Sequence, residues 1–528
     1  RDLEEKGHSI YGNACLSRTS GQQCSLFGSC AYLDQFRQDI SDMRAENTIR
    51  IYTHASLFLN RNEFERQATP DLVIIDEAFL SSAVSNMPSI PVGDVTQHIR
   101  LEGLPSLGFD LVECLTKHQG DLSYLRDKDI GSFEFNAVSL EGLNATTSFS
   151  ADTNQSRNVR STKQYKTLRK LLEVAALEVE DHGKDKFGQL VHDNRKTPHN
   201  NRKNEIVICE HKPIRVPRSA PVLYLDATAD PIITEPYLPA LQYHQIDVRQ
   251  LAVVSQVHDR TGSNSFWNNK IEQEQQNLSE QDYNLHQNDL ATLIVILNEW
   301  VEAGERPLLV GNKGLCDYLR VHPKLDAGVA VAHFMSLRGS NEFEDRSVIF
   351  VTGRNQPPPN DIEQQARSVF GSSGNPLNYD DLENLPLDQV DYWLSKRSPY
   401  TPAAITVPAF SDPRIGAVQR QIREAETVQA IARLRLVWTD YQKRVFLLSN
   451  LPVEMPVDHL IELNDLIPDR LEMELIKIGD LPLTPLGLEK MWHDLGLTKE
   501  AIKSLYRRSK SNDPKRLLSQ PPDLVRTT

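Results

Sequence analysis

Leu72 to Ile75 are four consecutive aliphatic residues set between Asp71 and the adjacent carboxylates Asp76 and Glu77. Such a run has no polar side to offer water, and it fits a parallel strand buried on both faces better than a half-exposed one. A second run, Pro221 to Asp226 (Pro-Val-Leu-Tyr-Leu-Asp), has the same character. Together they point to an α/β fold in which strands of one sheet lie far apart in sequence.

With 528 residues the chain is too long for one hydrophobic core, and about three or four domains are expected. Its longest apolar runs, such as Ile294 to Leu297, fall far short of the roughly 20 residues that span a bilayer, so no membrane is expected. Arg1 to His8 is polar and carries no signal-type apolar region, and six cysteines are too few for a disulfide scaffold. These features place the protein in a reducing cytoplasm. The net charge of -14, if spread evenly, would repel nucleic acid, so any nucleic-acid binding must be local.

Along the chain, the segment to about Phe36 is polar and loop-like and holds Cys15, Cys24 and Cys30, and short β-like runs follow at 48–52 and 71–75. Residues 81–220 turn polar and helix-prone, as at Lys163 to Glu180, with an exposed loop expected from Asn144 to Ser161; they read as an insertion. After Pro221 to Asp226 a second α/β unit is expected, with a helix from Leu290 to Ala303 stopped by Gly304. Strands are expected at Pro307 to Val310, Gly328 to Ala332, Ser347 to Thr352 and Arg444 to Leu448, and a helix within Arg414 to Trp438. Beyond Pro452 short helical pieces and a basic end, with Lys503, Arg507 and Arg508, are expected.

The chemistry concentrates where the first strand delivers Asp76 and Glu77 at its carboxyl end, the edge at which α/β sheets bind ligands. An Asp so placed can hold Mg²⁺ through water while the next Glu polarises an attacking water. Read blandly, it is a buried strand ending in a solvated acidic turn. Two further segments follow in fixed order: Asp226-Ala-Thr228-Ala-Asp230, and Gln429-Ala-Ile-Ala-Arg433-Leu-Arg435. In this order they resemble motifs II, III and VI of superfamily 2 helicases. Tyr52-Thr-His54-Ala-Ser-Leu57 and the Cys30-Ala-Tyr32 to Arg37 region are similar to features of the DinG/XPD-like, iron–sulfur branch. His333 to Asp345, with Gly339, resembles motif V, and Val351-Thr-Gly353-Arg354 to Pro357 a strand exit of that family.

The resemblance implies two RecA-like domains, a partial first one over 1–245 and a second over 246–452, with a small helical region over 453–528. The first would carry a cysteine-rich insert at 12–37 and an arch-like helical insertion at 81–220. The implied activity is ATP-dependent translocation on single-stranded or forked DNA, 5′ to 3′, in replication or repair, in the style of plasmid or prophage helicases that work with replication proteins. ATP would sit between the domains with Asp76 on Mg²⁺, Glu77 activating water and Arg433, with Gln429, serving the γ-phosphate. Asp226, Thr228, Gly339, Asp345 and Arg435 would line the nucleotide or couple its state to the fold. Motif VI departs from the family in having Ala432 for Gly and in the spacing of Arg435. No Gly-Lys-Ser/Thr occurs, and the motif order implies a P-loop before Arg1. Cys15, Cys24 and Cys30 resemble three ligands of a [4Fe–4S] cluster, with zinc or unliganded thiols as the other readings. Cys114, Cys209 and Cys316 read as ordinary buried residues. Lys163, Lys166, Arg169 and Lys170, with Arg195, Lys196, Arg202 and Lys203, could track a strand backbone or form a solvated face. The competing function is a non-catalytic nucleic-acid-binding or replication scaffold that keeps the fold without a P-loop.

Overall fold

The computed structural model describes residues 49, 51–59, 70–140, 155–196, 202–217, 219–246, 248, 250–276, 289–337, 341–395, 404–466 and 500, of which 155–163, 273–276 and 464–465 are described by backbone alone. The fold is mixed α/β. The chain forms two compact units, one of residues 1–241 with 359–379 and one of residues 242–358 with 380–528. The division thus falls at Gln242, and a segment from within the second half of the sequence belongs to the first unit. Among the described residues no helix is long and apolar enough to cross a membrane.

In the first unit, β1 (Val73–Asp76) pairs in parallel with β5 (Val222–Leu225), in a register that runs from Val73 opposite Val222 to Asp76 opposite Leu225. The two aliphatic runs are therefore neighbours, as expected from sequence. Their burial is not: Ile75 is buried, but Ile74, Leu223 and Leu225 are exposed. A two-stranded sheet covered on one side alternates in burial, whereas the sequence pattern predicts cover on both faces.

Between these strands lies a subdomain with its own core, and it is not purely helical. The three-stranded antiparallel sheet of β2 (Ser89–Pro91), β3 (Leu190–Asp193) and β4 (Glu205–Ile208), in the order β2-β4-β3, packs with the helices Leu107–Lys117 and Gln155–Glu180. Leu168, Leu171, Leu172, Ala175 and Val179 recur at three- and four-residue spacing and are all buried, which is why this polar-looking sequence forms a helix with one packed stripe. That helix begins at Gln155, within the stretch expected to be an exposed loop. Cys114 and Cys209 are buried free thiols pushed up by burial to about 12, as their bland reading requires.

The helix Pro359–Phe370 also belongs to this unit. Its buried Arg367 donates from Nε to Glu363 at 2.8 Å and from Nη1 to the carbonyls of Phe187 and Gly188 at 2.9 and 3.1 Å, and lies 3.7 Å from the ring centre of Tyr379. Buried Lys184 reaches the carbonyl of Gly371 at 3.1 Å, and buried Glu178 accepts the amides of Gly188 and Gln189 at 3.1 and 3.0 Å. The network joins the insertion to a helix about 180 residues downstream by hydrogen bonds that satisfy most of what burial strips of water.

The second unit holds a six-stranded parallel sheet in the order β13-β6-β12-β9-β7-β8. Its strands are β6 (Ala252–Val257), β7 (Pro307–Gly311), β8 (Ala330–His333), β9 (Val348–Thr352), β12 (Lys443–Leu448) and β13 (His459–Ile461), and an antiparallel hairpin pairs β10 (Leu387–Asp391) with β11 (Ala404–Pro408). Every residue of β7, β9 and β12 is buried. One face packs Val310, Ile349, Val351, Val445 and Leu447 under Ala430 and Ile431 of the helix Pro413–Ala432; the other packs Leu309, Phe350, Phe446 and Leu448 under Trp300 of the helix Asp289–Glu302. Phe350 and Phe446 stack at 4.8 Å, with Trp300 edge-on to both. β13 corrects the expectation for the end of the chain, because His459 to Ile461 extend the sheet where short helical pieces were expected. Residues 467–499 and 501–528 lie outside the described residues.

Glu178 generates a pH test. Desolvation pushes its carboxyl up to about 7, against Lys184 and the two amides that favour the charged form. A folded value above the unfolded one means that the neutral acid is the form the fold prefers, so the contribution to stability is full below about 4.5, falls by up to ~1.4 kcal/mol per pH unit, and is lost above about 7. Glu178→Gln should flatten that part of the profile. Urea unfolding of both proteins from pH 4.5 to 7.5 measures the difference, and parallel profiles would contradict the assignment.

Candidate functional site

At the carboxyl end of β1 the chain turns sharply. The Glu77 amide still bonds the Leu225 carbonyl at 2.8 Å, but Glu77 itself adopts φ 65°, a left-handed conformation unusual for a long side chain. Asp76 is exposed, and its carbonyl lies 2.6 Å from Nε2 of His54. His54 belongs to the short 3₁₀ helix His54–Phe58, so the Tyr52 to Leu57 segment is fastened to the acidic turn through backbone. Beneath the turn buried Phe79 packs 5.4 Å from Tyr224, 5.2 Å from Tyr237 and 6.2 Å from Phe58, ring centre to ring centre. This aromatic cluster supports the exposed Asp76 and the half-buried Glu77, and among the described residues no hydrogen bond to the Asp76 carboxylate is found.

Just after β5, Asp226 accepts the Tyr224 hydroxyl at 2.5 Å on one oxygen, and the amide and hydroxyl of Thr228 at 2.8 and 2.9 Å on the other. Asp230 then caps the helix Pro231–Thr234 by accepting the Ile232 amide. The carboxylate of Asp226 is thus engaged in building its own turn, which sets the chain beside Asp76. Parallel register brings Asp76, Glu77, Asp226 and Thr228 to one edge of one sheet.

In the second unit, Gln429 and Arg433 lie one helical turn apart at the end of the helix Pro413–Ala432. With Glu426 and Ala430 they line a recess closed by Phe334, Met335 and Leu337, which follow β8. Arg435, at φ 52°, donates to Asn341 Oδ1. Asp345, at the amino end of β9, is exposed and pairs with Arg306 at 2.7 Å and with Arg346 at 3.7 Å. It stands apart from the Gln429–Arg433 recess in its bonding, while Asn341 in the same loop makes the link to Arg435. Gly339 and Cys15, Cys24 and Cys30 lie outside the described residues.

Sequence reasoning passed over Lys443. It is 2% exposed at the start of β12, and its Nζ donates to the carbonyls of Glu344 at 2.6 Å and Leu434 at 2.8 Å, joining the loop before β9 to the turn that carries Arg433 and Arg435. Burial draws its amine below the ordinary lysine range. Its signal in the sequence is only a lysine heading an aliphatic run. Four of the eight basic residues singled out in the insertion are paired: Arg169 with Glu173, Lys170 with Glu210, and Arg195 and Lys203 with Asp193. Those pairs favour the solvated-face reading for this group.

No protein-family model matches the chain, and no curated protein or solved structure matches it significantly.

Left-handed backbone at non-glycine residues occurs at seven of the described positions. Asn86, Asp129 and Asn204 are of the types that tolerate it, whereas Glu77, Gln119, Met335 and Arg435 are not, and three of those four, all but Gln119, lie in the segments just described. The strain gives an expectation that sequence alone does not. Glu77→Gly should match the wild type in stability or exceed it by up to about 1 kcal/mol, and Glu77→Val should lose about 1–2 kcal/mol. Urea denaturation of the two variants decides; a valine variant as stable as the glycine variant would remove the strain.

Proposed function

We propose that the protein is an ATP-dependent DNA helicase or translocase of the DinG/XPD-like, superfamily 2 type, built on two RecA-like domains. The observation that carries this reading is the meeting of Asp76-Glu77 with Asp226-Ala-Thr228 at the carboxyl edge of one parallel strand pair, across about 145 residues of intervening chain. A strand ending in an exposed Asp76 and a half-buried Glu77 beside a tight Asp-Thr turn suits an enzyme that must detect and hydrolyse a terminal phosphate.

The exposed, unencumbered Asp76 carboxylate fits a hydrated Mg²⁺, a hard cation that retains several waters and takes one or two carboxylates. When bound, that ion supplies charge neutralisation to the phosphates. Glu77, held in its strained turn, orients and polarises the attacking water. The Asp226–Thr228 turn, joined to β1 through the register of β5, transmits the state of that edge to the sheet. Arg433, 7% exposed with Gln429 one turn before it, is the cation that stabilises charge on the transferring phosphoryl group. Arg435, tied to Asn341, holds the turn beyond it and is a positioning residue. In this reading the partner is single-stranded or forked DNA, and Cys15, Cys24 and Cys30 would ligate an iron–sulfur cluster.

The test uses the protein expressed from its complete reading frame. Glu77→Gln and Arg433→Ala should each keep ATP affinity within a few-fold and lose on the order of 10³ in single-strand-stimulated hydrolysis, because both groups act on the transition state. Near-normal turnover in either variant would remove that residue from the mechanism. DNA binding without any hydrolysis in the wild type would favour the scaffold.

A further inference from the structure

Arg354 follows β9 at the carboxyl edge of the six-stranded sheet, and its side chain is half-buried. Its Nε is shut off from solvent without a hydrogen-bond partner, and among the described residues it forms no salt bridge. Arg367 and Arg195 in the first unit each have a carboxylate and further acceptors in place. Arg354 lines a small recess with Gly353, Thr427, Ser449 and the ends of β9 and β12. The helix that carries Thr427 also carries buried Arg423, whose Nε and Nη2 bond Glu424 Oε1 at 3.0 and 2.5 Å. Two guanidinium groups therefore feel one carboxylate, whose Oε1 is engaged by Arg423 and whose buried Oε2 has no hydrogen-bond partner among the described residues. One positive charge is left over at the recess.

The backbone around it is built for close approach. Gly353 has φ 75°, and a Cβ there would lie 2.4 Å from the carbonyl oxygen of Gly262; Gly262 has φ 57°, and its Cβ would lie 2.7 Å from the carbonyl oxygen of Leu448. Two glycines thus let the loops after β6 and β9 meet backbone to backbone and hold Arg354 where it stands. Ser449 Oγ accepts the Leu451 amide at 3.3 Å, which leaves its hydroxyl hydrogen to donate. Thr427 gives its own to the carbonyl of Arg423.

We propose that Arg354 and Ser449 form a phosphate-binding site in the second unit, separate from the Gln429–Arg433 recess, that receives one oxyanion of a phosphodiester or of a nucleotide phosphate at its mouth. The guanidinium of Arg354 is half-buried, with its Nε shut off from solvent and unbonded, so an anion at the recess would meet a cation that is partly stripped of water, and a planar guanidinium matches phosphate geometry. No more than a water-sized group fits at the base of the recess, so a phosphate oxygen can be seated and a base cannot. Burial and the neighbouring Arg423 draw the Arg354 guanidinium down to about 10, against the pull of Glu424, so it remains charged at neutral pH. The site stands on the geometry of one unit and does not depend on ATP hydrolysis.

The experiment compares wild type, Arg354→Met and Ser449→Ala in the whole protein by thermal unfolding and by binding. Inorganic phosphate should raise the melting temperature of the wild type and not that of Arg354→Met, because a ligand that binds only the folded state stabilises it. Without phosphate, Arg354→Met should melt at or above the wild-type temperature, since it removes a half-buried charge with no described salt bridge. Ser449→Ala, which leaves the guanidinium in place, should weaken phosphate protection severalfold. If (dT)20 affinity falls about tenfold in Arg354→Met and its salt slope falls by about one, the ligand is a strand phosphodiester. If ADP affinity falls instead, it is a nucleotide phosphate. Either result supports the site. A wild type that phosphate, (dT)20 and ADP all fail to protect overturns it, as does an Arg354→Met protein that melts lower yet binds all three as before. Should Arg354→Met not fold, undiminished phosphate protection in Ser449→Ala overturns it.

Discussion

Parallel pairing makes every crossover return the chain to the edge it started from, so the carboxyl ends of all strands in one sheet gather on one side. For β1 and β5 this gathers Asp76, Glu77, Asp226 and Thr228, residues that no local interaction would bring together. The crossover here is an entire subdomain. Its length is tolerable because loop-closure entropy grows only logarithmically, and because residues such as Leu111, Leu171, Phe187 and Ile206 repay their ordering within a core of their own. That subdomain then takes Pro359–Phe370 out of the second half of the sequence and binds it through Arg367, Lys184 and Glu178.

Buried charge separates structural from functional roles in this chain. Arg367 and Lys443 are stripped of water but fully employed, each donating to carbonyls that would otherwise lack a partner. Removal of either would leave acceptors unsatisfied in a medium where that is expensive. Glu178 is an intermediate case, with two amides and a lysine nearby but a carboxyl that desolvation still pushes toward neutrality. Arg354, only half-buried, stands at the far end of the series, with a shut-off Nε and no described acceptor. Where the fold does not satisfy a charge, water or a ligand is the remaining source of satisfaction.

How much was legible follows from which interactions are local. β7, β9 and β12 announce themselves because strands buried on both faces are apolar over most of their length, and the helix Asp289–Glu302 because its apolar positions recur at helical spacing. β6 escaped notice: Ser255 and Gln256 break its apolar run, yet Gln256 is wholly buried and donates to the carbonyls of Ser449 and Leu451 at 3.0 and 2.7 Å. β13 is three residues long and is a strand only because β6 is there to pair with it. Nothing in Pro359–Phe370 says which core it will join, since an apolar stripe specifies burial and not a partner. Asp76 and Glu77 were legible as the end of a strand, whereas the Lys443 links and the Arg435–Asn341 contact depend on how two distant turns meet.

The direction of the strands also sorts the acidic residues that composition treats alike. Asp76 ends β1 and Asp226 follows β5, so both stand at a carboxyl edge, where the next backbone turns are free to be shaped by ligands and not by the ladder. Asp345 precedes β9, and its partner Arg306 precedes β7, so this pair closes the opposite edge and stands exposed in water. An exposed pair of that kind contributes at most about 1 kcal/mol and needs no further role. The strain at Glu77 points the same way. A left-handed glutamate persists only where the surrounding structure holds it, and the Leu225 bond and the Phe79 cluster do so at the carboxyl edge alone.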